Sequence, residues 1–352
     1  MTELEAVKGV GPGSAKKLRD SFVTTAELLA VQNPTELMEN TGLGEGTCKS
    51  IVESARELCG IGEFQSGIDY EKELASKPRL KTGIEKIDSQ LLGGLEAGSL
   101  VEFYGPARGG KTQWVSHLAV RVQLPIEEGG LEGRVLWLDS ESSVRPWIIR
   151  ANALRYGMDP DVALGNINRA EILVSGQISS LFKKIPRLCA EEGFKLVIID
   201  SFSGLFRAEF TTLDTLRTRQ AEMNNILNQM RRFGRATDTI FVFTNQATVK
   251  IPQGYGNPNL NAPVGGHIIA HASDYRLYTR RMSKDQRKLT LQDNAGVPEF
   301  DAELRIGWGG FYSDSKEKKA KESDILEYFE KRGWRTDYEK LESEVEEAEA
   351  AT

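Results

Sequence analysis

The sequence predicts an α/β fold: a mixed, mainly parallel twisted sheet flanked by helices, joined to a small all-α N-terminal domain. Three observations carry this. From Leu80 onward short apolar runs alternate with helical patterns, as crossover connections between parallel strands require. The last three runs follow one another without helices between them, which predicts antiparallel additions to the sheet. Residues 1–60 hold only short helical patterns broken by glycine turns.

Taken in order, the N-terminal region contains two similar glycine hairpins, one from Val7 to Leu18 and one from Asn40 to Lys49. Both resemble helix-hairpin-helix units, in which backbone amides at a helix N-terminus approach a phosphate closely. Lys16 and Lys17 make the first the better candidate for DNA. The second is either another contact or an element that completes the packing of the domain. Residues 61–80 lose apolar periodicity and gain Gly, Ser and Pro, which reads as a linker. Within it Phe64, followed by Gly67, either folds back onto its own domain or fills a pocket on a neighbour. The expected organisation is therefore 1–60, helical domain; 61–80, linker; 81–314, core; 315–352, charged extension.

Candidate strands in the core are Leu100–Tyr104, Arg134–Asp139, Lys195–Asp200, Thr239–Asn245, Tyr275–Arg281, Lys288–Asp293 and Glu303–Ile306. Apolar residues at Leu216, Met223, Ile226, Leu227, Met230 and Phe233 predict an amphipathic helix. Residues 247–266 contain four glycines, three prolines and three asparagines and read as a long loop, a length usually tied to function or disorder.

The chemistry starts at Leu100–Gln113. An apolar strand runs into Gly105, Pro106, Ala107, Arg108, Gly109, Gly110, Lys111 and Thr112, which fits G-x-x-x-x-G-K-[ST]. In that motif backbone N–H groups cradle phosphates, the lysine reaches the β/γ-phosphates and the hydroxyl ligates Mg²⁺. Such a cradle needs an acid to hold the metal. Asp200 supplies it at the carboxyl end of an apolar strand, where ligands sit in open α/β sheets. Asp139 and Glu141 close another strand on one side, so Glu141 can orient water with Asp139 supporting it. A third strand ends in Asn245-Gln246, where an amide can sense the γ-phosphate and move the loop beyond it.

Hydrophobic residues make up 39% of the 352-residue chain, enough for a substantial core, and the length suggests two or three domains at about 150 residues each. The net charge of −6 argues against a general polycation, though local patches still create binding fields. Asp337–Thr352 holds seven acids and one base, so the rest of the chain is close to neutral. The charged extension 315–352 as a whole reads as a partly disordered, solubilising segment or as a regulatory helix that shields a DNA groove. Cys48, Cys59 and Cys189 are scattered, supporting neither a disulfide framework nor a zinc site. No N-terminal apolar segment and no run of about 18 apolar residues occurs, so a soluble cytoplasmic protein without membrane contact is expected.

The span from Val7 to Ile306 resembles the archaeal RadA recombinases and their eukaryotic relatives, members of the RecA superfamily. The residues carrying the resemblance are the first hairpin, Phe64–Gly67, Lys81–Asp88 with Gly93–Leu95, the Gly105–Gln113 loop, Asp139–Glu141, Arg145-Pro146, Ile199–Ser201, Phe206–Phe210, Asn245-Gln246, Gly265–His267, and Asp293 with Pro298. The resemblance implies a RecA-like P-loop ATPase core that polymerises as a ring or helical filament, nucleoid-associated, on single- and double-stranded DNA. Its cofactors would be ATP and Mg²⁺. Residues Gly105–Gln113 would hold the nucleotide, Thr112 and Asp200 the metal, Glu141 the attacking water, and Gln246 the γ-phosphate. Phe64 would anchor polymerisation. Asp293 and Pro298 would cap the neighbour's ATP, with His267 reaching the same nucleotide and Asp293 offering a ligand to K⁺. Arg207, Arg217 and Arg219 would form the first DNA loop, and Lys250 and Tyr255 the second, whose single aromatic plane is a thin stacking platform.

This sequence also departs from the family's pattern. Pro106, Ala107 and Arg108 alter the phosphate turn. Trp147 and Ile148 follow Arg145-Pro146 where Glu and an adenine-stacking Arg are usual, leaving Trp147 or Arg150 to take the base. Thr211–Asp214 replaces a Gly-Arg-Gly, and Ser315–Thr352 has no counterpart. These departures keep two other functions open beside strand exchange: a mediator paralogue that binds ATP and DNA without exchanging strands, and a DNA-coating filament with a slow ATP switch.

Overall fold

The computed structural model describes residues 1–209, 216–249, 261–263, 269 and 271–333. Helices α1 (Pro12–Asp20), α2 (Ala26–Ala30), α3 (Pro34–Thr41) and α4 (Glu45–Leu58) wrap Leu4, Leu18, Leu29, Ile51 and Val52. The two hairpins share one construction: Gly11 caps α1 ahead of Pro12, and Gly44 caps α4 after Gly42 turns the chain at φ 61°. They differ in charge. The first turn of α1 has no acid, and Lys16 and Lys17 one turn further on are exposed, whereas Lys49 of α4 is tied to Glu45 at 2.6 Å.

The expected linker is largely helical. Ser66 Oγ accepts from Asp69 N at 3.1 Å and starts α5 (Gly67–Ser76), which buries none of its residues. An unburied helix needs no apolar stripe, which is why periodicity gave no sign of it. Phe64 is fully exposed just before this helix. Next, β1 (Arg79–Leu80) pairs with β2 (Leu95–Glu96) around α6 (Glu85–Gln90).

The main sheet contains β3 (Leu100–Gly105), β4 (Arg134–Asp139), β5 (Ile167–Glu171), β6 (Phe194–Asp200), β7 (Ile240–Val249), β8 (Asn261–Pro263), β9 (Tyr275–Arg281), β10 (Gln286–Asp293), β11 (Phe300–Gly307) and β12 (Gly310–Tyr312). Its order is β12-β11-β10-β9-β3-β7-β6-β4-β5, with β8 beside β7. Strands β9 through β5 in that order are parallel, so of the three closing runs expected as antiparallel additions only β10 and β11 are so. Strand β9 pairs antiparallel with β10 but parallel with β3, because a long connection brings it back to the sheet from β7, and β12, which the sequence reading did not include, adds antiparallel to β11. Edge strand β5 escapes sequence reading because Ile167, Asn168, Arg169, Ala170 and Glu171 make no apolar run. Strand β7 continues to Val249, so 247–249 of the expected loop are strand; residues 250–260 lie outside the described residues.

On one face lie α7 (Lys111–Arg121), α8 (Pro146–Arg155) and α9 (Pro160–Gly165). The other carries α10 (Ser175–Phe182), α11 (Ile185–Glu191), α12 (Phe202–Glu209) and α13 (Leu216–Thr237). Met223, Ile226, Leu227, Met230 and Phe233 of α13 are buried, as its pattern predicts. The N-terminal domain rests on this helix, where Arg232 Nη1 donates to Val31 O at 3.1 Å.

The first part of the charged extension is neither disordered nor laid over the α13 face. Helix α14 (Ser315–Lys331) docks on α8. Ile325 and Phe329 bury against Ala151, worth about 1.5–3 kcal/mol per side chain, and Arg155 bridges to Glu317 at 2.7 Å. Residues 334–352 lie outside the described residues.

Beneath that contact, His117 of α7 is fully buried between Thr82 O at 2.6 Å and Asn152 Oδ1 at 3.2 Å. Burial, reinforced by the Arg155 charge, pushes its pKa down to about 3. The unfolded chain binds a proton near the ordinary imidazole value of 6.5 that the fold refuses until about 3. Stability should therefore fall on acidification through that window by about 1.4 kcal/mol per pH unit. His117→Gln is expected to flatten this limb in denaturant unfolding followed against pH. An unchanged slope would assign the limb to other groups.

Candidate active site

Strand β3 delivers the glycine-rich turn to the carboxyl edge of the sheet, packed against β9. A Cβ added at Gly105 or Gly109 would stand 2.1 or 2.6 Å from the Thr279 carbonyl, so only glycine permits that approach. Thr279 Oγ1 also donates to Gly109 O at 2.9 Å. Gly110, at φ 105°, caps α7, whose first N–H groups and positive end open into a cleft of about 360 Å³. Ala107, Arg108, Gln113 and Arg287 line it together with Lys111, Thr112, Glu141, Asp200, Ser201 and Gln246.

Parallel register sets these groups side by side. Asp139 of β4 pairs with Asp200 of β6, and Gly105 of β3 with Gln246 of β7. Lys111 Nζ donates to Gly105 O at 3.1 Å and Pro106 O at 2.9 Å. Burial lowers its pKa, opposed by the charges of Asp200 and Glu141. Asp200 is almost wholly buried, and burial raises its pKa against hydroxyl bonds from Thr244, Ser143 and Thr112. Ser143 Oγ reaches Asp200 Oδ2 at 2.7 Å and Asp139 Oδ1 at 3.2 Å, joining the two acids.

Burial acts to raise the Asp139 pKa, but the Ser143 N–H and the Arg169 guanidinium outweigh it and hold this carboxyl below its ordinary range. Arg169 Nε lies 2.7 Å from Asp139, and Glu141 N donates to Asp139 at 3.3 Å. Glu141 Oε1 in turn accepts from Ser201 Oγ at 2.6 Å and Gln246 Nε2 at 3.3 Å. Asp139 thus sits behind Glu141. Strand alternation separates the amide pair: Gln246 enters the cleft while buried Asn245 donates to Glu102 at 2.8 Å.

A nucleotide with Mg²⁺ fits this set. Among the described residues no three His, Cys, Asp or Glu side chains form a metal cage. Mg²⁺ beside phosphates needs only one or two protein oxygens and keeps its waters, which Thr112 and Asp200 suffice to supply.

Other sequence-predicted residues lie elsewhere. Asp293, the last residue of β10, and Pro298 after it are exposed and outside this cleft; Asp293 lines a separate hollow of about 580 Å³ with Lys77, Arg79, Arg231, Arg235 and Asp274. Arg217 is exposed and Arg219 half-buried at the start of α13, and Arg207 belongs to α12. Lys250, Tyr255 and His267 lie outside the described residues. Arg150 does not line the cleft and is engaged elsewhere, donating to Asp161 at 2.5 Å and Tyr328 OH at 3.3 Å. Trp147 keeps 44% of its surface exposed, with the Arg145 guanidinium 6.0 Å from its ring centre.

Sequence reasoning missed Ser143, Ser201, Thr244 and Arg287. Thr244 had a signal, since it precedes Gln246 by two on the same strand and so shares its side. Arg287 had none, because it enters from β10, far along the chain.

Comparison with known proteins gives the same outline. The helix-hairpin-helix tandem family (SAM-like) matches residues 1–57, and the Rad51 family matches residues 75–314. The DNA repair and recombination protein RadA of Methanocorpusculum labreanum is 34% identical over 325 residues, covering 88% of this chain and 98% of its own. RadA of Aeropyrum pernix is 33% identical over 308 residues, covering 87% of this chain and 96% of its own. The Rad51 match takes in the glycine turn, both strand-end acids and every strand of the main sheet, and on it this chain belongs to the Rad51 family.

Proposed function

We propose that the protein is an ATP-dependent recombinase that assembles as a helical filament on single-stranded DNA and exchanges strands with a homologous duplex in recombination and double-strand break repair. The carrying observation is the joint placement of Glu141, Gln246, Lys111 and Asp200 in one cleft, with Glu141 and Gln246 3.3 Å apart. Two relatives named DNA repair and recombination protein RadA support the process.

In this reading the turn amides and Lys111 bind the triphosphate, Lys111 exchanging its bonds to Gly105 and Pro106 for phosphate oxygens. Thr112 and Asp200 would hold Mg²⁺, which would supply charge neutralisation for the triphosphate when bound. Glu141, held by Ser201, orients the attacking water. Gln246 senses the γ-phosphate and transmits its state along β7 toward Lys250 and Tyr255. A neighbouring subunit supplies Asp293, Pro298 and His267 as the cap, with K⁺ at Asp293, so hydrolysis depends on assembly. Phe64 and Gly67 link protomers. Arg207, Arg217 and Arg219 grip single-stranded DNA, while Lys16 and Lys17 at the first hairpin contact duplex phosphates. A cytoplasmic, nucleoid-associated location follows.

The loss of a stacking arginine at Ile148, with Arg150 engaged elsewhere, favours a second reading: a mediator that binds ATP and DNA and assists another recombinase. ATP turnover with and without single-stranded DNA, followed by strand exchange between homologous substrates, separates the two. Stimulated turnover with exchange is expected. Stimulated turnover without exchange would establish the mediator reading instead.

A further inference from the structure

Helix α13 has one face that the sheet does not use. Arg217, Ala221, Asn224, Asn228, Arg231 and Arg235 recur at alternating steps of four and three, which aligns them along one side. All are exposed except Arg231, which is half-buried. The only acid on the helix, Glu222, is bonded by Ser175 Oγ at 3.1 Å. At the far end the stripe enters an open groove of about 490 Å³ between α13 and α3, lined by Asn33, Asn225, Arg231 and Arg232, with Glu36 its one acid.

The charges there are weakly engaged. Arg231 has no acid partner among the described residues, and its buried Nε has no acceptor. Arg235, itself exposed, lies 3.8 Å from the half-buried Asp274, a long contact that holds little energy, and Asp274 also accepts from Leu100 N at 2.8 Å. A chain of net charge −6 thus carries, on a rigid helix, a basic stripe about 27 Å long from Arg217 to Arg235, eighteen steps of 1.5 Å, with no acid on the stripe itself; Glu36, Asp274, Asp293 and Glu96 of other elements stand near its far end. It starts at the arginines of the proposed first DNA loop and ends beneath the domain that bears Lys16 and Lys17.

We infer that this stripe is a track for the phosphate backbone of double-stranded DNA, joining the loop contact to the helix-hairpin-helix contact. Its side chains are guanidiniums and amides, which donate to phosphate oxygens. No aromatic side chain is exposed on α13, so the helix offers unpaired bases nothing to stack on, and a duplex, recognised through phosphates alone, is the matching partner. The track rests on the recombinase reading for its starting point and goes beyond it by adding Arg231 and Arg235 as duplex contacts.

The test uses the full chain with Arg231→Gln and Arg235→Gln together, both changes lying off the core. Duplex affinity is measured across a salt series and compared with single-strand affinity. Losing two phosphate contacts should reduce the log–log salt slope for duplex by about 1.8 and weaken binding by about ten- to a hundredfold at low salt. Single-strand affinity should change far less. An unchanged slope and affinity in a protein that binds duplex would overturn the track while sparing the recombinase reading; a wild-type chain that binds no DNA would overturn both. The same pair of substitutions in a chain ending at Gly333 tests the acidic segment Asp337–Thr352 as a competing occupant. If their effect vanishes there, the stripe serves that segment, and the duplex assignment falls.

Discussion

Glu141→Gln should lower ATP turnover by about 10²- to 10⁴-fold while leaving nucleotide bound, so that ATP-loaded filaments persist on DNA. Among the described residues that line the cleft, Glu141 is the one acid placed to face a water. Asp200 is buried beneath the hydroxyls of Thr244 and Ser143, and Asp139 is committed to Arg169 and to the backbone behind Glu141. Glutamine keeps the length and can still accept from Ser201 Oγ, which lies 2.6 Å from Glu141. What it loses is the negative charge that orients and deprotonates water. Single-turnover hydrolysis and electron microscopy of the trapped species make the measurement. Undiminished hydrolysis would reject Glu141 and turn attention to Gln246, its neighbour at 3.3 Å.

Phe64→Glu should abolish filaments. Phe64 is fully exposed ahead of a helix that buries nothing of its own, with Ile61 and Ile68 also exposed nearby. A large aromatic held in water by a short segment has no role in the stability of its own domain, so its loss should leave the melting temperature unchanged. Hot-spot aromatics contribute about 2–4 kcal/mol, or roughly 30- to 1,000-fold in subunit affinity, and a buried unpaired carboxylate adds to that loss. The effect compounds along a polymer. Because Asp293 lies outside the cleft of its own subunit, DNA-stimulated hydrolysis should fall with assembly. Sedimentation and microscopy at matched concentrations decide the matter, and filaments of normal length would refute the anchor.

Much of this protein is readable from short stretches. The turn from Gly105 to Thr112, the strand-end acids Asp139, Glu141 and Asp200, and the buried stripe of α13 are local patterns. Each is fixed by backbone periodicity or by a loop that must approach phosphates, and each stands where the sequence predicts. The tertiary structure decided what depends on partners distant in the chain. Strand β5 exists because β4 offers it an edge, not because its own residues favour one. Helix α14 is held by the apolar surface of α8: Ile325 and Phe329 are visible in the sequence, but amid so many charges nothing local shows that Ala151 offers them a surface. Ser143 and Thr244 converge on Asp200, and Arg150 is diverted to Asp161, through contacts between separate elements. A motif constrains its own backbone; the remaining assignments are set by which surfaces meet, and that is determined only when the whole chain packs.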